Sequence, residues 1–268
     1  MGNLKRKSLI LARVRETKGA EKLRYLRQII PLIDLTNVQS SATEKDIERL
    51  CRIARKHKTA AVCVNPAHVE IARRILQDTS VKVAAVAGGF PLGQIPLERK
   101  LAEIECVKMM GTDEVDVVIN QGAILSGDID AVRREFREMR STAGLMTMKV
   151  ILETGALKES SRIRLATQIA IEEGANFIKT STGFSREGAS FETVEIILKA
   201  IREAGGRIGI KPSGGVKTIA DALMYMFLVE QMAGREWITP SLFRYGASSL
   251  LRELVQETRR LEREMSES

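Results

Sequence analysis

The feature of this sequence that most limits its possible folds is a regular alternation of short β-branched runs with amphipathic segments. The strand-like runs are Pro31–Leu35, Ala60–Val64, Val81–Ala87, Glu114–Ile119, Thr147–Glu153, Phe177–Thr180, Arg207–Lys211 and Ser241–Tyr245. Helical periodicity covers residues 43–58, 66–78, 95–111, 128–143, 158–173, 190–205, 217–234 and 247–264. This alternation is typical of parallel α/β folds, in which helices connect neighbouring strands.

The number and spacing of these units favour a closed barrel over an open sheet. Eight β–α units within 268 residues fit a (β/α)8 TIM barrel. An open, doubly wound sheet would carry a glycine fingerprint after its first strand, and Leu35-Thr36-Asn37-Val38 has none. We therefore predict an α/β protein in which residues 31–268 form a TIM barrel and residues 1–30 a short basic helical extension. The spacing of Thr43 and Asp46 also predicts a capping box at a helix start.

The net charge of +8 is concentrated in the N-terminal extension. Residues 1–30 hold nine lysines and arginines against Glu16 and Glu21, a net of +7, so the remaining residues carry only +1. Such a segment could bind RNA or another acidic surface. Its apolar residues also suit one or two helices packed on the barrel, and we favour this interpretation. These residues are Leu4, Leu11, Val14, Leu23 and Leu26.

Composition argues against several other classes of protein. Aromatic residues make up only 4% of the chain, too few for a nucleic-acid stacking platform, and no apolar run approaches the roughly 18 residues of a membrane span. The N-terminus lacks the apolar centre of a signal peptide. Cys51, Cys63 and Cys106 are odd in number and widely spaced, as expected of reduced thiols, and two histidines do not make a multi-histidine metal site. We expect a cytoplasmic protein without membrane or nucleic-acid partners.

Two lysines occupy the ends of neighbouring predicted strands. Phe177-Ile178-Lys179 and Ile208-Gly209-Ile210-Lys211 each end on lysine before a small, hydroxyl-rich turn. Strands adjacent in a parallel sheet lie about 4.8 Å apart, so the two side chains can meet. Each ammonium then disfavours the charge on the other, and a neutral amine can attack a carbonyl to form a Schiff base. Asp116, in the fourth strand, is positioned to move protons beside them.

A purely structural interpretation of these charged residues is also available. Asp34, Asp116, Lys149 and Glu153 could form an ion-pair network that fills the barrel, and the two lysines could simply reach solvent at its rim. Because TIM barrels carry their reactive groups at the C-terminal ends of strands, we favour a catalytic cluster.

Glycine and serine follow the last two predicted strands. Ser213-Gly214-Gly215-Val216 and Gly246-Ala247-Ser248-Ser249 each precede a predicted helix. Backbone N–H groups at helix starts bind phosphate, and TIM barrels frequently place a phosphate site after strands seven and eight. The alternative is a tight turn with a serine N-cap. The occurrence of both motifs at these two places favours a phosphate site.

Together these motifs resemble those of 2-deoxyribose-5-phosphate aldolases, in order from about Leu32 to Leu251. The segments that carry the resemblance are Phe90-Pro91-Leu92-Gly93, Glu114-Val115-Asp116-Val117-Val118, Lys149-Val150-Ile151-Leu152-Glu153-Thr154, Lys179-Thr180-Ser181-Thr182-Gly183, Lys211-Pro212-Ser213-Gly214-Gly215-Val216-Lys217-Thr218 and Gly246-Ala247-Ser248-Ser249-Leu250. The resemblance implies a cofactor-free, metal-independent class I aldolase. Such an enzyme reversibly cleaves 2-deoxy-D-ribose 5-phosphate to D-glyceraldehyde 3-phosphate and acetaldehyde.

The resemblance also implies roles for individual residues. Lys179 would be the Schiff-base nucleophile, Lys211 the second lysine that perturbs it, and Asp116 the proton donor and acceptor. Asp34 and Lys149 would support them in the polar site. The substrate and its phosphate would be held by Gly214, Gly215, Ser248, Ser249, Thr182 and Gly183. The expected partners are small sugar-phosphate and aldehyde substrates, with a homo-oligomer, dimer or tetramer, left open.

Three departures from the family pattern and three alternatives remain. The basic extension of about 30 residues is longer than the family needs. Phe184 follows the lysine motif where some members have a phosphate-binding lysine, and the sequence ends Glu264-Met265-Ser266-Glu267-Ser268 without the terminal tyrosine of some members. A fructose-bisphosphate-type aldolase or transaldolase would use the same lysine chemistry on another sugar. A sugar-phosphate isomerase would need no imine, and a nucleic-acid binder would use residues 1–30.

Overall fold

Eight parallel strands form the centre of the structure, a computed structural model in which residues 2–267 are described. The strands are β1 (Ile33–Asn37), β2 (Ala61–Val64), β3 (Lys82–Ala87), β4 (Glu114–Val118), β5 (Thr147–Ile151), β6 (Phe177–Lys179), β7 (Gly209–Lys211) and β8 (Tyr245–Ala247). Each strand from β1 to β6 pairs with the next strand in the chain, and β8 pairs with β1.

The ring closes between β7 and the segment that leads into β8. Ile210 N–H donates to Leu242 O at 2.9 Å, and Arg244 N–H donates to Ile210 O at 3.1 Å. Parallel bridges pair Ile210 with Phe243 and Ser213 with Gly246. The predicted TIM barrel is therefore confirmed.

Helices alternate with the strands around the outside of the barrel. They are α1 (Asn3–Glu16), α2 (Gly19–Ile29), α3 (Glu44–His57), α4 (Val69–Leu76), α5 (Leu97–Met109), α6 (Gln121–Ser126), α7 (Ile129–Ala143), α8 (Thr154–Leu157), α9 (Ser160–Glu172), α10 (Phe191–Glu203), α11 (Ile219–Ala233) and α12 (Leu250–Ser266). At α3 the Thr43 side chain accepts from Asp46 N–H, and Asp46 accepts from Thr43 N–H, which confirms the predicted capping box.

The structure differs from the predicted elements in the bounds of several strands and helices, and most clearly in three places. The short helices α6 and α8 follow β4 and β5 directly, where no helix was predicted. The eighth strand begins at Tyr245 rather than at Ser241. Its sequence, Tyr-Gly-Ala, has little β propensity, because glycine and alanine are poor strand formers. Its neighbours in the closed barrel, not its own residues, define it as a strand.

The N-terminal extension forms two helices packed against the last helices of the barrel. Helix α1 contacts α11, and α2 contacts α11 and α12. Leu23 and Leu26 are buried in the same apolar core as the barrel, and Val14 is partly buried against it. The expectation that all five apolar residues face the barrel is wrong for Leu4 and Leu11, which are exposed. On α1 it is Ile10 that packs inward, and Leu4 and Leu11 project away from that face.

Acidic side chains of the outer helices pair with much of the basic charge of this extension. Lys7 contacts Glu192 at 2.7 Å, Arg13 contacts Glu230 at 2.8 Å, Lys22 contacts Glu257 at 2.6 Å, Arg27 contacts Glu262 at 2.7 Å, and Arg6 pairs with Glu195. Exposed ion pairs contribute little to stability. They do neutralise positive charge that would otherwise be available to bind a nucleic acid. This pairing weakens the nucleic-acid alternative. A domain boundary at residue 30 remains a prediction.

The inner surface of the barrel has an apolar side and a charged side. Ala61 and Cys63 of β2 and Ala84 and Val86 of β3 form a small buried cluster with Val38. The inward residues of β1, β4, β5, β6 and β7 are largely charged and buried. Small side chains on one side leave room for the long lysine and arginine side chains that reach across from the other. Within residues 2–267 no helix has the length and apolarity needed to cross a membrane.

We expect Leu26→Ala to destabilise the whole protein, because Leu26 is fully buried between the extension and the barrel helices. Leu→Ala at such a site costs about 2–5 kcal/mol. The matched control is Leu4→Ala in the same extension, at a side chain that is 85% exposed. Urea denaturation should show one cooperative transition that shifts only for Leu26→Ala. Equal stability of the two variants would show that the extension is not part of the folded core.

Candidate active site

Strand register brings the two predicted lysines side by side. Lys179 of β6 pairs in register with Lys211 of β7, and Asp116 of β4 pairs with Lys149 of β5. Residues directly opposite each other in a parallel sheet project to the same face. Lys179 and Lys211 are the last residues of β6 and β7, at the strand ends where TIM barrels carry their reactive groups. Asp116 and Lys149 lie one layer deeper, in the middle of β4 and β5.

Asp116 lies at the centre of these lysines. Its Oδ2 accepts from Lys179 Nζ at 2.9 Å and from Lys211 Nζ at 2.7 Å, and its Oδ1 accepts from Lys149 Nζ at 2.7 Å. The ammonium groups of Lys179 and Lys211 are thus within reach of one oxygen. Neither points to bulk solvent, since Lys179 is 3% exposed and Lys211 is 0% exposed.

A second layer of charges lies behind Asp116. Lys211 Nζ is 2.6 Å from Asp34 Oδ2, and Lys149 Nζ is 2.6 Å from Glu114 Oε2. Arg244 bridges the two carboxylates, contacting Asp34 at 2.5 Å and Glu114 at 2.9 Å. Burying these charges is costly, and the contacts offset that cost only because every ion has a close partner.

The cluster contains one more cationic side chain than carboxylates. Asp34, Glu114 and Asp116 face Lys149, Lys179, Lys211 and Arg244, and all seven are buried. Lys149 contacts three carboxylates, whereas Lys211 and Arg244 contact two each. Lys179 contacts one, and it shares that carboxylate oxygen with Lys211. Lys179 is therefore the cationic group that the network holds least firmly.

Surrounding charges shift the pKa values of the most buried members. Burial alone would raise the pKa of Asp116, but Lys149, Lys179 and Lys211 hold it well below its usual range. Burial alone would lower the pKa of Lys211, but Asp116 and Asp34 raise it above the ordinary lysine value. Asp116 is therefore a carboxylate and Lys211 an ammonium across the physiological pH range.

The pKa values of Asp34 and Lys149 are shifted in the same directions as those of Asp116 and Lys211, respectively. Against the effect of burial, Lys211, Arg244 and Lys149 lower the pKa of Asp34. Burial would also lower the pKa of Lys149, but Asp116 and then Glu114 raise it. These groups form a fixed arrangement of charges beneath Lys179.

Hydroxyl groups join the loop after β6 to the loop after β7. Thr180 Oγ1 donates to Ser213 O and accepts from Ser213 N–H, both at 2.9 Å. Ser213 Oγ donates to Ser181 O at 2.6 Å and accepts from Ser181 N–H at 3.2 Å. Small, hydroxyl-bearing residues after each lysine are thus needed to hold the two lysine-bearing strands in one geometry.

Glycines allow the loops of the site to approach closely. A Cβ added to Gly246 would lie 2.7 Å from Ser213 Cβ and 3.2 Å from Lys211 Cε, so a side chain there would displace the lysine. Gly188, in the loop before α10, lies directly against the backbone of Gly214, which itself has φ +73°. Gly246 and Gly188 are required because a side chain would have no space, and Gly214 because its backbone conformation favours glycine.

Glu153, just after β5, positions the loop that follows Lys179. Its Oε2 accepts from Thr182 Oγ1 at 2.5 Å and from Thr182 N–H at 3.2 Å. Glu153 is a non-glycine residue in the left-handed region, with φ +53°. It contacts this loop rather than the charge network that the sequence suggested for it.

An open cavity of about 990 Å³ lies above Lys179. Its wall includes every residue predicted to hold the substrate or its phosphate, namely Thr182, Gly183, Gly214, Gly215, Ser248 and Ser249. Phe184 lines it too. The structure therefore places the predicted nucleophile and the predicted phosphate loops in one cavity, with Asp116, Lys211, Lys149 and Asp34 beneath its floor.

Sequence reasoning missed three contributors, which are Glu114, Arg244 and Cys63. Glu114 lies two residues before Asp116 in β4 and therefore projects to the same face of the sheet. Arg244 lies in the segment before β8, and its role depends on barrel closure, which no local pattern reports. Cys63, on the apolar side, places Sγ 3.8 Å from Asp116 Oδ2. Burial and the Asp116 charge raise the pKa of its thiol, so it is protonated at neutral pH. Among residues 2–267, no three His, Cys, Asp or Glu side chains are grouped to hold a metal ion, and metal independence remains a prediction.

Comparisons with known proteins identify relatives of this site. A family-wide sequence model described as DeoC/LacD family aldolase matches residues 28–253. The chain is similar to human deoxyribose-phosphate aldolase, with 37% identity over 276 aligned residues that cover 95% of this chain and 86% of the human protein. It is 45% identical to the deoxyribose-phosphate aldolase of Deinococcus radiodurans over 190 residues, which cover 71% of this chain and 84% of that protein.

A solved structure with the same fold is the tetrameric deoxyribose phosphate aldolase of Aeropyrum pernix. It aligns with a TM-score of 0.72 and 27% sequence identity, covering 94% of this chain and 97% of that one. The similarity therefore extends from the sequence motifs to the whole barrel.

We expect acid to destabilise the wild type more steeply than Asp34→Asn. The pKa of Asp34 is lowered in the folded state, so unfolding takes up a proton as the pH approaches about 3.9, the unfolded value. This stabilisation is complete above that pH and is lost as the pH falls towards the folded pKa. Urea denaturation from about pH 5 to pH 2.5 measures the slope, and Asp78→Asn, at an exposed carboxylate, is the control. An unchanged slope in Asp34→Asn would contradict the network.

Proposed function

The chain belongs to the DeoC/LacD family of aldolases, and on that premise we propose that it is a deoxyribose-phosphate aldolase. It reversibly cleaves 2-deoxy-D-ribose 5-phosphate to D-glyceraldehyde 3-phosphate and acetaldehyde through a lysine Schiff base. The observation that carries this proposal is the sharing of one Asp116 oxygen by Lys179 and Lys211 directly below a cavity lined by two glycine–serine loops.

Lys179 is the nucleophile in this proposal. It is the lysine of the cluster that lines the cavity, whereas Lys149 and Lys211 are fully buried beneath it. An amine must be neutral to attack a carbonyl. The cluster becomes electrically balanced when one of its four cationic groups loses a proton, and Lys179 has the fewest carboxylate contacts.

Lys211 and Asp116 support the chemistry in different ways. Lys211 stays protonated because two carboxylates raise its pKa, so it provides a permanent positive charge beside the reacting nitrogen. Asp116 hydrogen-bonds Lys179 and can pass a proton to or from it, directly or through water. Lys149 and Asp34 hold Asp116 and Lys211 in place.

The reaction begins when Lys179 Nζ attacks the aldehyde carbon of the open-chain sugar phosphate. Loss of water gives an iminium, which accepts the electron pair of the bond between the second and third sugar carbons as that bond breaks. The 3-hydroxyl gives up its proton towards Asp116, and glyceraldehyde 3-phosphate leaves. Protonation of the enamine at carbon and hydrolysis of the imine then release acetaldehyde and regenerate the lysine.

The phosphate group of the substrate binds where the loops after β6, β7 and β8 meet. Thr182, Gly183, Gly214, Gly215, Ser248 and Ser249 all lie along this part of the cavity. Ser249 is the N-cap of the 17-residue helix α12. The N-terminus of a helix carries unpaired N–H groups and a partial positive charge, which favour an anion there.

The location and assembly of the protein are further proposals. We propose a cytoplasmic enzyme, since its three cysteines are free thiols far apart in sequence. We propose a homo-oligomer, dimer or tetramer, since the relative from Aeropyrum pernix is described as tetrameric. Size-exclusion chromatography with light scattering tests the second proposal.

Borohydride reduction in the presence of 2-deoxyribose 5-phosphate should attach the substrate fragment to Lys179. Peptide mass spectrometry locates the adduct, and an acetaldehyde assay follows cleavage, which separates this activity from that of other Schiff-base aldolases and of an isomerase. Lys179→Ala should abolish both adduct and turnover, whereas Lys45→Ala, an exposed lysine, should alter neither. An adduct on Lys211, or turnover lost to a chelator, would contradict the proposal.

Ser248→Ala should weaken recognition of the phosphate without disturbing the lysine chemistry. Loss of one hydrogen bond to a charged group should raise KM for 2-deoxyribose 5-phosphate by roughly tenfold. The internal control is unphosphorylated 2-deoxyribose, whose kcat/KM should not change. An equal loss for both sugars would place Ser248 outside the phosphate site.

A further inference from the structure

The cavity above Lys179 extends well beyond the proposed phosphate loops. It continues along a groove between α3 and α12, past Asp46, Leu50 and Ile53 on one side and Val255 and Gln256 on the other. Binding pockets for drug-sized ligands are about 300–1,000 Å³, so a volume of about 990 Å³ is at the upper end of that range. A five-carbon sugar phosphate fills only its inner part.

Positive charge is concentrated along this cavity. Its wall carries Arg49, Lys179, Lys217, Arg252 and Arg259 against a single carboxylate, Asp46. This imbalance contrasts with the near neutrality of the chain after residue 30. His57, which also lines the groove, adds little charge, because burial, Lys56 and Arg259 lower its pKa. A concave surface with charge of one sign attracts ligands of the opposite sign.

Two of these arginines have no acidic partner among residues 2–267. The structure gives Arg252 and Arg259 no ion pair, whereas Arg260, one position further on, contacts Glu257 at 2.8 Å and also pairs with Glu264. Arg252 is in the first turn of α12, immediately after the proposed phosphate loop. Arg259 follows it by seven residues, about 10 Å along the helix axis.

The groove between these arginines has an apolar lining. Leu50 and Ile53 of α3 face Val255 of α12, and Ile53 is 40% exposed. Arginine beside partly exposed aliphatic side chains suits a ligand that joins an anionic group to a ring or other apolar portion.

We propose that the α3–α12 groove is a second binding subsite, which takes an organic diphosphate such as a nucleoside diphosphate. The terminal phosphate of the ligand occupies the Gly214–Ser248 site of the proposed function, on which this inference rests. The second phosphate contacts Arg252, and the organic portion lies on Leu50, Ile53 and Val255 towards Arg259. Such a ligand excludes the sugar phosphate and so inhibits the enzyme competitively.

Calorimetric titration of the full-length protein tests this subsite without any need for turnover. The probes are orthophosphate, pyrophosphate and ADP. We expect pyrophosphate to bind roughly tenfold more tightly than orthophosphate, the factor that one additional charge-assisted hydrogen bond supplies. ADP should bind more tightly still. Equal affinities for ADP and orthophosphate would overturn the proposal. If pyrophosphate binds more tightly than orthophosphate but ADP binds no more tightly than pyrophosphate, the assignment of the apolar lining to the organic portion of the ligand is wrong.

Paired variants show whether the arginines are responsible. Arg252→Gln combined with Arg259→Gln should bring the affinity for ADP close to that for orthophosphate. The matched control is Arg263→Gln, which removes the same kind of charge from an exposed part of α12 outside the cavity. If the control loses as much affinity for ADP as the double variant does, the effect is one of net charge and the subsite is wrong.

Kinetics separate this inference from the proposed function. In the cleavage assay ADP should raise the apparent KM for 2-deoxyribose 5-phosphate and leave kcat unchanged, and noncompetitive inhibition would overturn the shared site. Absence of cleavage, with tight ADP binding that depends on the arginines, would contradict the aldolase assignment and leave the subsite intact. If the protein cleaves the sugar phosphate but binds ADP no more tightly than orthophosphate, the aldolase assignment is supported and the subsite is contradicted.

Discussion

The contact on which the site depends is that between one carboxylate and three lysines. Asp116 accepts hydrogen bonds from Lys149, Lys179 and Lys211, all inside the barrel. Without Asp116, Lys179 would be buried with no carboxylate partner, and Lys149 and Lys211 would keep only Asp34 and Glu114. A buried ion left unpaired in this way costs several kcal/mol. Because Asp116 contacts all three, the barrel can hold the proposed nucleophile, Lys179, next to the permanent cation of Lys211.

The rest of the barrel interior is arranged around this contact. Ala61, Cys63, Ala84 and Val86 keep the opposite wall small and apolar, which leaves the space that the long lysine side chains fill. Asp34, Glu114 and Arg244 neutralise the charges behind Asp116. The network that pairs the buried charges is thus the same one that surrounds the proposed reacting groups. The structural and the catalytic interpretations of these residues are compatible.

Much of this arrangement could be predicted from the sequence, because its signals are local. Strands that end on lysine and then break at Thr180 or Pro212 fix both the direction of the side chain and its place at the barrel mouth. Arg244 could not be predicted, because its partners Asp34 and Glu114 lie 210 and 130 residues away and meet it only after the ring closes. The outward direction of Leu4 likewise depends on which face of α1 meets α11.

The central claim is that Lys149 and Lys211 are ammonium groups and Asp116 is a carboxylate, so that they form the fixed charges beneath Lys179. Neutron diffraction from a deuterium-exchanged crystal at neutral pD counts the deuterons on each Nζ directly. We expect three on Lys149 and three on Lys211, with Asp116 unprotonated. Fewer than three deuterons on Lys211, or a deuteron on Asp116, would contradict this account.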